Sequence, residues 1–214
     1  STTNVSNLWN SYVYGTAATI GIARPFLQNV SARHPYPDST PTAAMLFTDS
    51  GVTGITKLMM NNIETVGANN SLCAIGGIIS NFDASYTGYG SNFSTRATNV
   101  TPNCRDTIIT GLASHDGMGM LDVNNTSNAG FEMHGPGMTM IGARFWNNTG
   151  DGVRCVADRA FIRDVYSYNN GGKVSFEEDK AAGFKAYGPN IVNPNGCNNS
   201  DIDGVKTYDL NGNQ

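Results

Sequence analysis

Glu132, Arg154 and Lys185 follow one another along the chain at one shorter and one longer step. A carboxylate, a guanidinium and an amine can pair as ions, hold a charged ligand or move a proton, provided the fold brings them together. If the backbone returns to the same place at those two intervals, the three side chains form one outward-facing column. Glu132 then pairs with Arg154 across the gap between strands, and Lys185 points to solvent. His115 and His134 lack metal-ligand spacing to each other and read as surface or turn residues. Glu177, Glu178 and Asp179 are three adjacent acids on a loop, a set that can meet calcium and is ordinarily just hydrated. No GxSxG, HExxH, P-loop or EF-hand pattern offers a competing chemistry.

The element that would position such a column is visible in a repeat. Asn147-Asn148 returns as Asn169-Asn170, a step of 22, and the same step back from Asn147 reaches Asn125. Met118, Met140 and Ile162 keep that step, as do Leu121, Ala143 and Val165, and Gly130 returns as Gly152. A period in the low twenties with short alternating stretches such as Phe131-Glu132-Met133 and Val153-Arg154-Cys155 predicts a β-solenoid, since a helical repeat needs roughly 33 residues or more. The expected fold is all-β, a right-handed parallel β-helix. Stacked coils set like residues roughly 4.8 Å apart, so Asn125, Asn147 and Asn169 are expected to form an amide ladder. The plainer alternative makes them turn formers at coil corners.

Other steps keep the same logic at different lengths. Ile78-Ile79 and Ile108-Ile109 lie 30 apart, and Ile162, Val165 and Tyr168 recur at Ile202, Val205 and Tyr208 after 40. Gly152 finds its counterpart at Gly183, with insertions looping out between coils. Residues 1–43 read differently: a strand-like "TAATIGIARPF" is followed by "RHPYPDSTPT", broken by Pro35, Pro37 and Pro41 into an extended linker. The expected organisation is an N-terminal segment over 1–43 and a β-helix over 44–214, irregular at first and regular from about residue 107.

Composition narrows the partners. Of 214 residues only 14% are charged and the formal net charge is −4, so the basic stripe that phosphate backbones require is missing and nucleic acid is not an expected partner. No apolar run approaches the roughly 20 residues needed to span a bilayer. Ser1 in place of an initiator Met points to a removed leader or a trimmed chain. Sequons at Asn4, Asn29, Asn69, Asn92, Asn99, Asn124 and Asn198 are candidate glycosylation sites, and Asn125 and Asn147 also carry the motif. Asn147 is expected to be bare, because a ladder position points inward, whereas Asn92 and Asn198 are expected on loops. Cys73 and Cys104, 31 apart, suit a disulfide between neighbouring coils, while Cys155 and Cys197 form a second candidate pair or leave Cys155 a buried thiol.

The stretches "FWNNTGDGVRC", "FIRDVYSYNNGG", "AGFKAYG" and "DIDGVKTYDLNGN" resemble successive coils of the family 9 polysaccharide lyases, β-helix pectate lyases, over about residues 107–214. The resemblance implies a base at Lys185 and a calcium contact at Asp151, with Arg154 as a second catalytic candidate and Glu132 and His134 as candidates for substrate binding. Gly150 and Arg154 replace two carboxylates of the calcium segment; calcium is the one cofactor that the resemblance implies. β-Elimination needs removal of a uronate's C5 proton beside a neutralised carboxylate, and a lone Asp151 is a poor site for an ion wanting six to eight oxygens.

Two function classes follow. The preferred expectation is an extracellular glycosylated β-helix of structural or adhesive role, a filament or sheath subunit that forms a homo-oligomer by head-to-tail contacts involving residues 1–34. The alternative is a polysaccharide lyase with a carbohydrate partner and Lys185 as its base.

Overall fold

The computed structural model describes residues 3–4, 12–15, 26–33, 43–49, 55–67, 69–72, 74–87, 91–95, 104–117, 129–170, 183–186 and 196–208. Among these there is no helix, and every strand pairing is parallel. One wall stacks Phe26–Arg33, Met59–Val66 and Ile78–Ser85, continues through the split pairs Ile108–Thr110 with Ala113–His115 and Thr139–Ile141 with Arg144–Trp146, and ends in Phe161–Tyr168 and Asp201–Tyr208. A second wall runs from Tyr12–Gly15 through Ala43–Asp49, Asn69–Leu72, Phe93–Ser94, Phe131–Met133 and Val153–Cys155 to Phe184–Ala186. A short third wall pairs Ile55–Thr56 with Ala74–Ile75, which bridges to Arg105. The chain is a parallel β-helix.

Its corners have a physical signature. Asn29, Asn62, Asn81, Gly111, Gly142, Asp164 and Gly204 all have positive φ, and the strand registers place them one above another. A second such column contains Gly67, Tyr86, Asp116, Asn147 and Asn169, and a third contains Lys57, Gly76, Asp106, Gly137, Arg159 and Asn199. The left-handed region costs a β-branched residue most and Gly, Asn or Asp least, so the frequency of those three types in the sequence is the imprint of three corners per coil. Within the first wall a left-handed residue also interrupts the strand alternation. Met60, Ile63 and Thr65 face inward, as do Ile79, Phe82 and Ala84, with a step of three across the corner and two after it.

The core is a stack of these inward residues. Phe82, Phe93, Phe131 and Phe145 are fully buried and meet ring to ring, with centroids 4.9, 5.3 and 6.2 Å apart. Each such side chain contributes roughly 1.5–3 kcal/mol by leaving water. The recurrence of Gly130 and Gly152 is also enforced by contact. A Cβ on Gly152 would lie 2.0 Å from Ser167 Oγ and 2.5 Å from the Gly183 carbonyl oxygen, so the coil above admits no side chain there.

The registers correct part of the expected repeat. Met140 pairs with Ile162 at the expected step, but on its other side it pairs with Ile109, not Met118. Ala143 likewise sits over Leu112, not Leu121. The longer steps from Ile78 to Ile108 and from Ile162 to Ile202 are as expected. The boundary at residue 43 is also corrected, because Phe26–Arg33 pairs along its length with Met59–Val66 and Thr3–Asn4 joins the same wall. Residues 26–33 are a coil of the solenoid and not part of a detached assembly tether. Pro35, Pro37 and Pro41 and the run before Phe26 lie outside the described residues.

Candidate functional site

Phe131–Met133, Val153–Cys155 and Phe184–Ala186 are adjacent strands in register, and they place Glu132 opposite Arg154 and Arg154 opposite Lys185. The expected column therefore exists. Its environment does not match the expectation of a solvated face: Glu132 and Arg154 are 7% and 8% exposed, and Asp151 is 1% exposed. Arg154 Nη1 donates to Glu132 Oε1 at 3.2 Å, and its Nε donates to Asp151 Oδ2 at 2.5 Å. His134 Nε2 lies 3.4 Å from Glu132 Oε2. Lys185 is half-buried at the end of the column.

Electrostatics inside the cluster follow from this geometry. Burial by itself pushes the Glu132 carboxyl upward. The His134 hydrogen bond and charge, followed by the charge and hydrogen bond of Arg154, outweigh it and bring the group down to about 2. Glu132 is thus a carboxylate at neutral pH, and one guanidinium holds two carboxylates. Asp151, the expected calcium contact, gives an oxygen to that guanidinium. Calcium does not fit this donor set, because it needs six to eight oxygens and the two nearby carboxylates already hold a fixed cation. Among the described residues no group of three or more His, Cys, Asp or Glu side chains is arranged to hold a metal ion.

The amide ladder is real but displaced by one residue. Asn92 Nδ2 donates to Asn148 Oδ1 at 3.1 Å, and Asn148 Nδ2 donates to Asn170 Oδ1 at 2.9 Å. All three are buried. Asn92 enters the column through a gap left by Gly117, where a Cβ would meet Asn148 Oδ1 at 2.9 Å. Asn147 and Asn169 take the left-handed corner instead, and Asn147 is exposed with its Nδ2 on Asp116 Oδ1 at 3.1 Å. Asn125 lies outside the described residues.

This reverses two expectations about glycans. Asn92 has no surface, its Oδ1 accepts from the Thr87 amide and its Nδ2 also donates to the His115 carbonyl, so a sugar there is incompatible with the fold. Asn147, expected to be bare because it pointed inward, points outward. Asn198 is exposed in a turn, and Asn29 is half-buried and accepts from Asn62 Nδ2 at 2.8 Å. Asn4 and Asn69 lie on strands, and Asn99 and Asn124 lie outside the described residues. Cys155 is not a free thiol: it is bonded to Cys197, with Cα atoms 5.6 Å apart. Cys104 is also disulfide-bonded, and its expected partner Cys73 lies outside the described residues.

Two further columns on the first wall were anticipated only in part, at Tyr168 with Tyr208 and at Ile78 with Ile108. His115, Trp146, Tyr168 and Tyr208 stack face to face, with centroids 4.2, 5.9 and 5.2 Å apart. His115 is held by Asp83 Oδ1 at 3.1 Å and Asp116 Oδ2 at 2.7 Å. Burial pushes its imidazole down, but the hydrogen bonds and charges of the two aspartates prevail and raise it above its ordinary value. The second column is apolar. Phe26, Met59, Ile78, Ile108, Thr139 and Phe161 lie in register, and the five apolar members are 39–61% exposed. Unequal spacing along the chain concealed their remaining members; the step from Phe26 to Met59 is far longer than the step from Met59 to Ile78.

No family model matches the sequence, and no curated protein matches it. Among solved structures the chain is similar to a pectate lyase, with a TM-score of 0.43 and 13% identity over 73% of this chain and 38% of that one. It is also similar to the A-modules of two mannuronan C-5 epimerases from Azotobacter vinelandii. One has a TM-score of 0.39 and 11% identity over 92% of this chain and 72% of the other; the second has 0.31 and 14% over 91% and 66%. The chain spans 38% of the length of the pectate lyase.

Proposed function

We propose that this protein is an extracellular β-helix of structural or adhesive role, which acts through the side of its solenoid and not through a catalytic centre. The observation that carries this reading is the in-register column of Phe26, Met59, Ile78, Ile108, Thr139 and Phe161, in which every member but Thr139 is an apolar side chain left in water. Scattered exposed apolar residues are ordinary, but an aligned patch on a soluble protein marks a surface that meets something. Two facts lend support. Arg154, Glu132 and Asp151 are occupied with one another and nine-tenths buried, as in an ion-paired staple between coils. The Cys155–Cys197 disulfide suits an oxidising compartment.

The register that sets Lys185 beside Arg154 favours a second reading, a polysaccharide lyase. In β-elimination the Lys185 amine would take the C5 proton of a uronate while the bond from C4 to the leaving sugar oxygen breaks, leaving a C4–C5 double bond, and the departing oxygen would take up a proton from water. Pectate and other uronates, incubated with the protein with and without calcium while the absorbance of the unsaturated product is followed, separate the two readings. No turnover is expected. Turnover that Lys185→Ala abolishes would overturn the structural reading.

A further inference from the structure

The exposed apolar column has a symmetry of its own. In order along the solenoid it reads Phe26, Met59, Ile78, Ile108, Thr139, Phe161. Turned end for end about the midpoint between Ile78 and Ile108, the column maps Phe26 onto Phe161, Met59 onto Thr139 and Ile78 onto Ile108. Aromatic meets aromatic, and the two central isoleucines meet each other. Asp201, the next member, falls beyond Phe26 and outside the overlap.

From this we infer that two copies of the chain associate side by side through this column, about a two-fold axis that sets Ile78 of one copy against Ile108 of the other. The inference rests on the structural or adhesive reading and names the partner. A contact of this kind is isologous: each pair occurs twice and the interface closes on itself. On one flank is the corner column Lys57, Gly76, Asp106, Gly137 and Arg159, where the two-fold sets Lys57 against Gly137 and Asp106 against Gly76 and brings no like charges together among these four. The other flank is uncharged over most of its length. The neighbouring outward column, two positions along each strand, is Gln28, Asn61, Ser80, Thr110 and Ile141 before it reaches Arg163. Arg163 is already bonded to Asp201 Oδ2 at 2.6 Å and lies over the Phe161 ring at 4.2 Å.

Extent also favours a second copy. Five strand steps give a strip roughly 24 Å long. Five large side chains, each of about 150–250 Å² and roughly half exposed, supply about 400 Å² per copy, around half of the ~800 Å² per partner in a standard interface. The parallel uncharged column of Gln28, Asn61, Ser80, Thr110 and Ile141, mostly half-buried, adds a smaller share, so the contact is of the size of a weak, concentration-dependent dimer. The assembly expected from residues 1–34 therefore moves from the ends of the solenoid to its flank.

Sedimentation of the full chain over a range of concentrations tests this. A dimer is expected, and Ile78→Glu or Ile108→Glu should weaken it roughly 100-fold, because each substitution enters a two-fold interface twice. Both side chains stand outside the core, so circular dichroism and the thermal midpoint of the variant monomers should not change. Register is read separately: mixed Phe26→Cys and Phe161→Cys chains should crosslink to each other far more than either does alone, because the two Phe26 positions of the dimer lie roughly 24 Å apart along the solenoid. A wild-type monomer at all concentrations, a dimer indifferent to Ile78→Glu, or crosslinking within the Phe26→Cys variant alone would overturn the inference. A monomer without uronate turnover removes this partner and leaves the adhesive reading. Turnover dependent on Lys185 removes that reading itself.

Discussion

Arg154 lies directly across from Glu132 on the neighbouring strand, and its guanidinium ties that carboxylate to Asp151 within a wall that excludes water. A buried pair of this kind contributes modestly as a whole but is costly to break on one side, because the remaining charge stays buried without its partner. Arg154→Ala should therefore destabilise the protein by about 3–5 kcal/mol. Chemical denaturation measures the loss, and a change below about 1 kcal/mol, the size of a solvent-exposed pair, would mean that the cluster is not closed to water.

The same cluster sets the acid limb of stability. The Glu132 carboxyl titrates at about 2 in the fold, against an ordinary 4.5. Because the folded value is depressed, its contribution, on the order of 3 kcal/mol, is present above pH 4.5 and lost as pH falls through about 2. Glu132→Gln should flatten that limb of the stability profile. His115 has the opposite sign: its raised value gives a contribution that is full below about 6.5 and disappears as pH rises through the folded value. Trp146 stacks on this ring, so its fluorescence should follow that titration, and His115→Gln should abolish the change.

Asn148 is the centre of the internal ladder. Its Oδ1 accepts from Asn92 Nδ2 and the Gly117 amide, and its Nδ2 donates to Asn170 Oδ1 and the Ser114 carbonyl. Asn148→Asp replaces the two donors with a buried oxygen and charge, at a cost of roughly 2–4 kcal/mol. Asn147→Asp, one residue away at an exposed corner, should cost under about 1 kcal/mol. Thermal unfolding of the two variants distinguishes them, and equal losses would contradict the inward assignment of Asn148.

Glycans offer a check on the same geometry. In an expression host that glycosylates sequons, the folded secreted protein should carry nothing at Asn92, while Asn147 and Asn198 are sterically open. Intact glycopeptide mass spectrometry reads the occupancy of each site. A glycan on Asn92 of the folded protein is the result that this packing forbids.

The solenoid itself was legible in the sequence wherever one coil imposes a residue type on the next. Gly130, Gly152 and Gly183 recur because there is no room for a Cβ between coils, and Ile78-Ile79 recurs as Ile108-Ile109 because both fill the same slot of a stacked wall. Such constraints act through backbone contact and leave their mark at a fixed interval. What tertiary structure alone decided was which way a side chain points and what covers it. Asn147 and Asn148 are chemically identical, yet a left-handed corner sends one outward and the next into the core. Glu132 and Arg154 alternate with Phe131, Met133, Val153 and Cys155, as a strand requires, but alternation fixes only the side of the wall and not access to water. Coils of unequal length hid the pairing of Met140 with Ile109 and most of the apolar column, because alignment in space follows hydrogen-bond register and not residue count.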